Sequence, residues 1–482
     1  MEEVNVRPIS LERLAAILPD DRGARLANAA ERARATFGGR VVWHVNATAH
    51  GGGVAEMLQT LLAYGKAAGI ENRWMVLDGD AEFFAITKRL HNNLHGEPGD
   101  GGSLGRVERD HYETVLRSNL AELIDLVSRD DIVLLHDPQT AGLTAGLHEQ
   151  GTRVVWRCHI GRDRPNDLTH VGWDFLRPYL TQAEALVFSR REYAPGWVED
   201  DRLIVISPSI DPFAVKNMHL PPEVVTATLA RAGIVADGGH EGPVDFVRRD
   251  GGTGTLRPHR STGGLLLGGE PPPVDVPLVV QVSRWDRLKD MAGVMEGFVR
   301  AVAGNDLAGA HLVLAGPEVS GVSDDPEGAE VLAECVDQWQ RLPDAVRGRV
   351  HLASIPMDDA DENAIIVNAL QRHAAVVVQK SLVEGFGLTV TEAMWKARPV
   401  VASKLGGIQD QITDGRDGLL VEDPHDLDEL ARVLRRPLED LGLAARLGAA
   451  AHARVLSEFV GDRHLEQYVD LFSQLVSVPR PD

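Results

Sequence analysis

Short apolar, β-branched runs alternate with longer amphipathic segments along most of this chain. Runs of four to six such residues bounded by turn signals read as buried parallel strands, and the intervening 3.6-residue periodicity reads as helix. In the first half the predicted strands are Arg40–Val45, Trp74–Leu77, Asp131–Leu135, Arg153–Arg157, Ala185–Phe188 and Leu203–Ile206. Helices are predicted over Val54–Ala68, Glu82–Leu94 and His111–Val127, with 97–105 as loop and 1–38 as one or two surface helices. From Ser207–Pro212 the chain reads as a connection, followed by a short helix at Glu223–Ala232. The pattern then restarts at Pro277–Val282, Leu312–Ala315, Val350–Ala353, Ala375–Val378, Pro399–Ala402 and Gly418–Val421, and ends in helices over Leu427–Leu434, Leu441–Leu456 and Leu465–Val476. Strand–helix repetition of this kind predicts an α/β fold of two Rossmann-like, doubly wound parallel-sheet domains facing across a cleft.

Between the halves the pattern breaks. Residues 236–275 hold ten Gly and five Pro, including Pro271–Pro272–Pro273, so no packed core is expected there. This stretch is read as a flexible surface insertion whose Arg248, Arg249, Arg257 and Arg260 are solvated, or else touch an acidic ligand. The expected organisation is 1–210 as first domain, 211–276 as linker helix and insertion, and 277–459 as second domain. A C-terminal helix at about 460–478 is expected to pack back on the first domain.

Composition narrows the functional classes. A 482-residue chain is too long for one ordinary core, and 44% hydrophobic with 25% charged residues is ordinary globular usage. The net charge of −22 argues against nucleic acid or an anionic membrane as partner. Two cysteines, Cys158 and Cys335, fit a reducing cytoplasm without a disulfide framework. No secretory leader or membrane span is expected, and a homodimer is only the commonest prior.

Candidate chemistry gathers where strands end. In doubly wound sheets, ligands sit beyond the carboxyl ends of the strands. Asn46, Asp137 and His159 stand at such ends in the first half, with Gly51–Gly52–Gly53 opening the first helix. In the second half, Ser283–Arg284–Trp285–Asp286–Arg287–Leu288–Lys289–Asp290 follows a strand and puts two cations at its mouth. Each feature alone also fits a tight turn, a cap or a surface ion pair. The segment Gln379–Glu392 is more pointed: a strand, a loop with Gly385 and Gly387, then a helix start with Thr389 and Thr391 as expected caps. Such a loop can cradle an anion on backbone N–H groups. Glu384 and Glu392 bracket it eight positions apart, which suits a ligand with phosphates in the middle and hydroxyl-rich sugars at both ends. The sequence has no HExxH, paired CxxC, P-loop or GxGxxG, and Gly101–Gly102–Ser103–Leu104–Gly105, though of GxSxG form, falls in the predicted loop 97–105 and not on a strand-to-helix elbow, so metallohydrolase, serine-hydrolase, P-loop and nicotinamide readings lack their motifs.

Glu384-x7-Glu392 with Gly385–Phe386–Gly387–Leu388, together with Arg284 and Lys289, resembles the donor site of retaining GT-B glycosyltransferases of the glycogen-synthase-like group. The resemblance is nearest to the trehalose glycosyltransferring synthases. It is carried by His44–Thr48, Gly51–Met57, Glu82–Phe84, His91–Gly96, His136–Gln139, Trp156–His159 and Gln281–Asp286, and spans nearly the whole chain from about residue 40. Two departures stand out: the long insertion at 236–275, and Asp290 where the group often has Gly.

The resemblance implies transfer of glucose, with retention and reversibly, from ADP-, UDP- or GDP-glucose to free glucose, giving trehalose. Arg284 and Lys289 would hold the donor diphosphate. Gly385, Phe386, Gly387, Leu388 and Thr389 would line the donor, with Gly52 and Gly53 approaching its phosphate. Glu384 would bond the glucosyl hydroxyls and Glu392 the ribose hydroxyls. His159 would bond the transferred glucose, and Asp137, Asn46 and Gln139 the acceptor sugar. The implied mechanism is front-face transfer through an oxocarbenium-like state, with domain closure. No cofactor or bound metal is implied; Mg2+ would at most stimulate. The base, the physiological direction and the acceptor (free or phosphorylated) are left open. Alternatives are a trehalose phosphorylase, another retaining GT-B glucosyltransferase, or a non-catalytic nucleotide-sugar sensor.

Overall fold

The computed structural model describes residues 1–49, 53–236, 242–259, 263–304, 307–319 and 326–478. Gly51 and Gly52 of the first glycine loop, and Arg260 of the insertion, lie outside these. Two compact units result: Met1–Ile210 with the segment from Phe459 onward, and Asp211–Glu458.

The first unit is built on a seven-stranded sheet of β1 (Glu2–Val4), β2 (Val41–Asn46), β3 (Glu71–Val76), β4 (Ile132–His136), β5 (Arg153–Cys158), β6 (Ala185–Phe188) and β7 (Leu203–Val205). Their order is β1-β3-β2-β4-β5-β6-β7. All neighbours pair in parallel except β1, an antiparallel edge strand on β3. The central strands are apolar on both faces because helices cover both, which is why they read as runs rather than alternations. The order reverses between β2 and β4, so their exit loops flank the crevice where doubly wound sheets bind ligands.

The helix Asp20–Phe37 is not a bare surface helix. It buries Leu26, Ala29, Ala30, Ala33 and Phe37. Against it lies the C-terminal helix Gly461–Ser477, with Phe37 edge-on to Phe472 at 6.2 Å and Arg22 gripping Asp462 bidentately at 2.6–2.9 Å.

In the second unit, β8 (Asp245–Val247) and β9 (Thr253–Thr255) form an antiparallel hairpin. A six-stranded parallel sheet follows: β10 (Leu278–Val282), β11 (His311–Pro317), β12 (Val350–Ile355), β13 (Val376–Gln379), β14 (Val400–Ser403) and β15 (Leu419–Val421). Its order, β12-β11-β10-β13-β14-β15, is that of a dinucleotide-binding sheet, with the switch point between β10 and β13.

The insertion differs from the solvated loop expected. Leu265–Leu267 runs antiparallel to β12: Leu267 N–H donates to Leu352 O at 2.8 Å and Ser354 N–H to Leu265 O at 2.9 Å. An otherwise open sheet edge is thereby covered. Arg248 forms a two-pronged pair with Asp359 (2.6 and 2.9 Å), Arg249 bonds Asp361 (2.6 Å), and Arg257 bonds both Asp358 and Glu362. These acids open the helix Ala360–His373, where negative charge is favoured by the helix dipole. The three described arginines are therefore held by protein carboxylates, not offered to a ligand.

Candidate active site

Both loops at the second unit's switch point are tied together by side chains. After β10, residues Ser283–Asp290 turn back, and Asp290 adopts φ +45°, in the left-handed region that favours glycine. Asp290 takes it because its carboxylate caps the helix Met291–Val302 at Gly293 N–H (3.0 Å) and pairs with the buried Lys380. That pairing accounts for an acid where the family pattern often has Gly. Burial lowers Lys380 to about 8.

From β13 the chain runs through Gln379–Ser381 to Glu384. Lys289 Nζ donates to Glu384 Oε2 at 2.6 Å, and Ser381 Oγ donates to the same oxygen at 3.0 Å. Gln281 Nε2 donates to Lys289 O at 2.7 Å, Lys380 N–H donates to Gln281 Oε1 at 3.1 Å, and Leu382 N–H donates to Leu288 O at 2.7 Å. The two loops thus form one braced mouth. Arg284 lies exposed on it, 52% accessible, and its one ion pair among the described residues is with Asp286 at 3.1 Å. Of the two expected phosphate-holding cations, Arg284 is loosely held and Lys289 sits in a half-buried pair with Glu384.

The helix after the glycine loop begins one residue past Gly387, at Leu388–Trp395. Gly387 itself is the N-cap, at φ +80°. This corrects the expected threonine caps. Thr389 and Thr391 lie inside the helix, Thr389 donating to Gln379 Oε1 at 2.9 Å and Thr391 to Gln411. A Cβ at Gly387 would stand 3.2 Å from Glu384 Cγ and Ile408 Cγ1, so the residue is required both by φ and by space. Gly407 N–H and Gln411 Nε2 fasten the carbonyls of Gly385 and Phe386, and Phe386 is buried. The helix N-terminus brings the positive end of its dipole to this mouth, a setting suited to an anion, while the charge of Lys289 is matched by Glu384.

Glu392 is placed differently from its neighbours. It is buried and pairs with Lys216 of the connecting segment, Oε1 to Nζ 3.3 Å. Lys216 carried no sequence signal, since nothing local links it to a glutamate so distant in the chain. Below them Lys396 donates to Asn217 Oδ1 (3.1 Å) and Gln371 Oε1 (2.8 Å), and burial lowers it to about 7.

In the first unit the β2 and β4 exits carry the expected residues. Asn46 is buried and occupied by the fold: Trp74 Nε1–H donates to its Oδ1 at 2.8 Å, and its amide donates to Thr48 O at 2.7 Å. These bonds use one lone pair of its oxygen and one of its two amide N–H groups. Gly53 starts the helix Gly53–Ala67, and Gly52 is outside the described residues. Asp137 sits at φ +65°, and its Oδ1 accepts the backbone N–H of His159 at 2.8 Å, joining the β4 and β5 exits. Gln139 Oε1 is buried with no hydrogen-bond partner among the described residues, an omission that ordinarily costs about 1–3 kcal/mol. His159 Nε2 lies 3.1 Å from His136 Nδ1, a contact that no local pattern in the sequence announces.

Burial pushes Asp137 up to about 7, outweighing the His159 N–H and the Arg157 charge that lower it. A carboxyl whose folded value lies above its ordinary 3.8 binds its proton more tightly folded than unfolded. Stability contributed by that proton is present in acid and is lost as pH rises toward 7. Asp137→Asn is therefore expected to gain Tm over wild type as pH rises from 4 to 7, with the gain level above 7. An equal Tm difference at pH 5 and pH 8 would contradict this.

Among the described residues, no group of three His, Cys, Asp or Glu side chains is placed to hold a metal ion, and no helix is long and apolar enough to cross a membrane.

The sequence matches two family models: "Trehalose synthase, N-terminal domain" over residues 44–195 and "Glycosyl transferases group 1" over residues 362–454. The first covers the β2–β6 site loops, the second the glycine loop and both glutamates. The chain is 36% identical over 443 residues to a trehalose synthase of Rubrobacter xylanophilus, covering 91% of this chain and 92% of that one. It is 32% identical over 468 residues to a trehalose synthase of Pyrococcus horikoshii, covering 96% of each. Its fold is similar to a crystal structure of an α,α-trehalose-phosphate synthase (UDP-forming) from Burkholderia xenovorans, with TM-score 0.63 and 15% identity over 91% of this chain and all of the other. The chain belongs to the trehalose synthase family and is a glycosyltransferase of GT-B fold.

Proposed function

We propose that the protein transfers glucose, with retention and reversibly, from a nucleoside-diphosphate glucose to free glucose, giving trehalose. The observation that carries this reading is the braced mouth at the β10–β13 switch point. There Lys289, Arg284 and a helix N-terminus stand beside the carboxylate of Glu384. Cations and backbone N–H groups suit the donor diphosphate, and a carboxylate offering about four lone-pair sites suits vicinal sugar hydroxyls.

In this reading Lys289 and Arg284 take the diphosphate, and Glu384 takes hydroxyls of the glucosyl ring. Gly385–Thr389 line the donor, and Glu392, held by Lys216, takes the ribose. Gly52 and Gly53 serve the donor phosphate. His159 bonds the glucosyl group, and Asp137 with the unpartnered Gln139 oxygen takes the acceptor. The bond from the anomeric carbon to the phosphate oxygen breaks. A bond from the same carbon to the acceptor's anomeric hydroxyl oxygen forms on the same face. The acceptor proton passes to the leaving phosphate. Catalysis is then mainly positioning and electrostatic stabilisation of the leaving group, with neither an enzyme nucleophile nor a resident metal in the scheme.

The test is incubation with ADP-, UDP- or GDP-glucose, or with glucose 1-phosphate, and either glucose or glucose 6-phosphate, with product analysis. Formation of an α,α-linked disaccharide from free glucose and at least one donor is expected. Its formation solely from glucose 1-phosphate, with release of inorganic phosphate, would replace this reading with a phosphorylase.

A further inference from the structure

Three adjoining strands of the first sheet each carry a histidine near their carboxyl end: His44 in β2, His136 closing β4, and His159 one residue past β5. Their rings stack. Centroids of His44 and His136 are 5.5 Å apart at 20°, and those of His136 and His159 are 5.4 Å apart at 12°. His44 Nδ1 lies 3.3 Å from His136 Nε2, and His136 Nδ1 lies 3.1 Å from His159 Nε2. His44 and His136 are buried, while His159 is partly exposed. Among the described residues, His159 Nδ1 has no hydrogen bond.

A neutral imidazole carries one N–H and one lone pair. Three neutral rings joined by two ring-to-ring hydrogen bonds must point the same way. The third proton is then on His159 Nδ1, at the open end, or on His44 Nε2, at the buried end. Burial decides between them, and it also keeps the rings neutral beside a buried cation. Arg157 of β5 is fully buried, donating to His464 Nε2 (3.2 Å), to Tyr468 Oη and to Ile206 O (3.1 Å). Burial first, and then this cation, hold His44 down at about 3; they also hold His159 and His464 well below the ordinary range. His136 is lowered by burial and by its histidine neighbours, with Arg157 adding to them. The other titratable groups facing the stack are His464, from the C-terminal helix, and Asp137, bound to the His159 backbone. A proton on Nε2 of the buried His44 would be an N–H with no hydrogen-bond partner among the described residues, whereas the outward alignment puts that N–H on the partly exposed His159, so the protons align outward.

We propose that His136 and His44 are positioning residues that hold His159 as a neutral imidazole with its proton on Nδ1, presented as a hydrogen-bond donor to a hydroxyl oxygen of the transferred sugar. The proposal rests on the role given to His159 under Proposed function. It adds that this role is set two residues inward, by side chains that never touch the sugar.

The test is 15N NMR of histidine-labelled wild-type protein, which needs no variant to fold. All three rings are expected to carry N–H at Nδ1 and a bare Nε2, unchanged between pH 6 and 8. His136→Phe keeps a flat ring in that place and removes both hydrogen bonds. In that variant His159 is expected to become a mixture of tautomers that titrates, with kcat about tenfold lower, the order lost with a partner that orients a catalytic imidazole. An Nε2 proton or a charged ring at His159 in the wild type would overturn the proposal. So would an unchanged His159 signature in folded His136→Phe. A fully active His159→Ala, beside the expected wild-type spectrum, would overturn the sugar-binding role of His159 while supporting the histidine chain.

Discussion

Arg284→Ala is expected to lower kcat at saturating donor by on the order of 10²-fold or more while leaving Tm nearly unchanged. Arg284 is half exposed, and among the described residues its only ion pair is with Asp286, the kind of surface pair worth about 0–1 kcal/mol. Little holds it in the folded state, so any large loss must come from the reaction. Lys289→Ala is expected to lose as much rate but also to destabilise. It takes the 2.6 Å Lys289 pair from Glu384, whose side chain is 10% exposed, and leaves the Ser381 hydrogen bond in place. A partly buried carboxylate stripped of its cation costs about 1–3 kcal/mol. Steady-state kinetics with thermal denaturation on both variants checks this. Near wild-type turnover of both at saturating donor would remove these residues from the chemistry.

Arg22→Ala is expected to cost about 3–5 kcal/mol, the largest single stability effect outside the site. Arg22 and Asp462 are 9% and 2% exposed and share three hydrogen bonds of 2.6–2.9 Å. Removing the arginine leaves a buried carboxylate at the first turn of the C-terminal helix without its bidentate cation. Because that helix also places His464 and Tyr468 against Arg157, its loosening reaches the histidine stack. For a unit of this size the Tm shift is roughly 10 °C. Replacing both residues by leucine is expected to recover most of the loss, since well-packed apolar pairs often match a buried ion pair. A single variant within 1 kcal/mol of wild type would show that the pair contributes nothing to that docking.

Much of this fold is legible because its strands are short apolar runs with a buried face on both sides. Such runs stand out locally, and their exits fall beside the switch points, where Arg284, Lys289, Glu384, Asp137 and His159 are found. What escaped has partners far away in sequence. The strand Glu2–Val4 is three residues long and takes its identity from β3, not from an apolar pattern of its own. The arginines of the insertion look solvated until the acids of Asp358–Glu362, more than a hundred positions on, are brought against them. Thr389 and Thr391 have the chemistry of caps, but the turn needs φ +80° one residue earlier, which Gly387 supplies. Asn46 ends a strand at the switch point, as a ligand-binding residue would, yet Trp74 and Thr48 take part of its amide. Position along a strand can nominate a site residue; only the folded partners tell whether its polar atoms are free to serve.

The most direct test of the central claim is 13C NMR of the product made from nucleoside-diphosphate [1-13C]glucose and unlabelled glucose. The expected result is a single labelled disaccharide with both anomeric centres α and one equivalent of nucleoside diphosphate released. No labelled disaccharide from any of the ADP, UDP or GDP donors, or a labelled centre of inverted configuration, would contradict it.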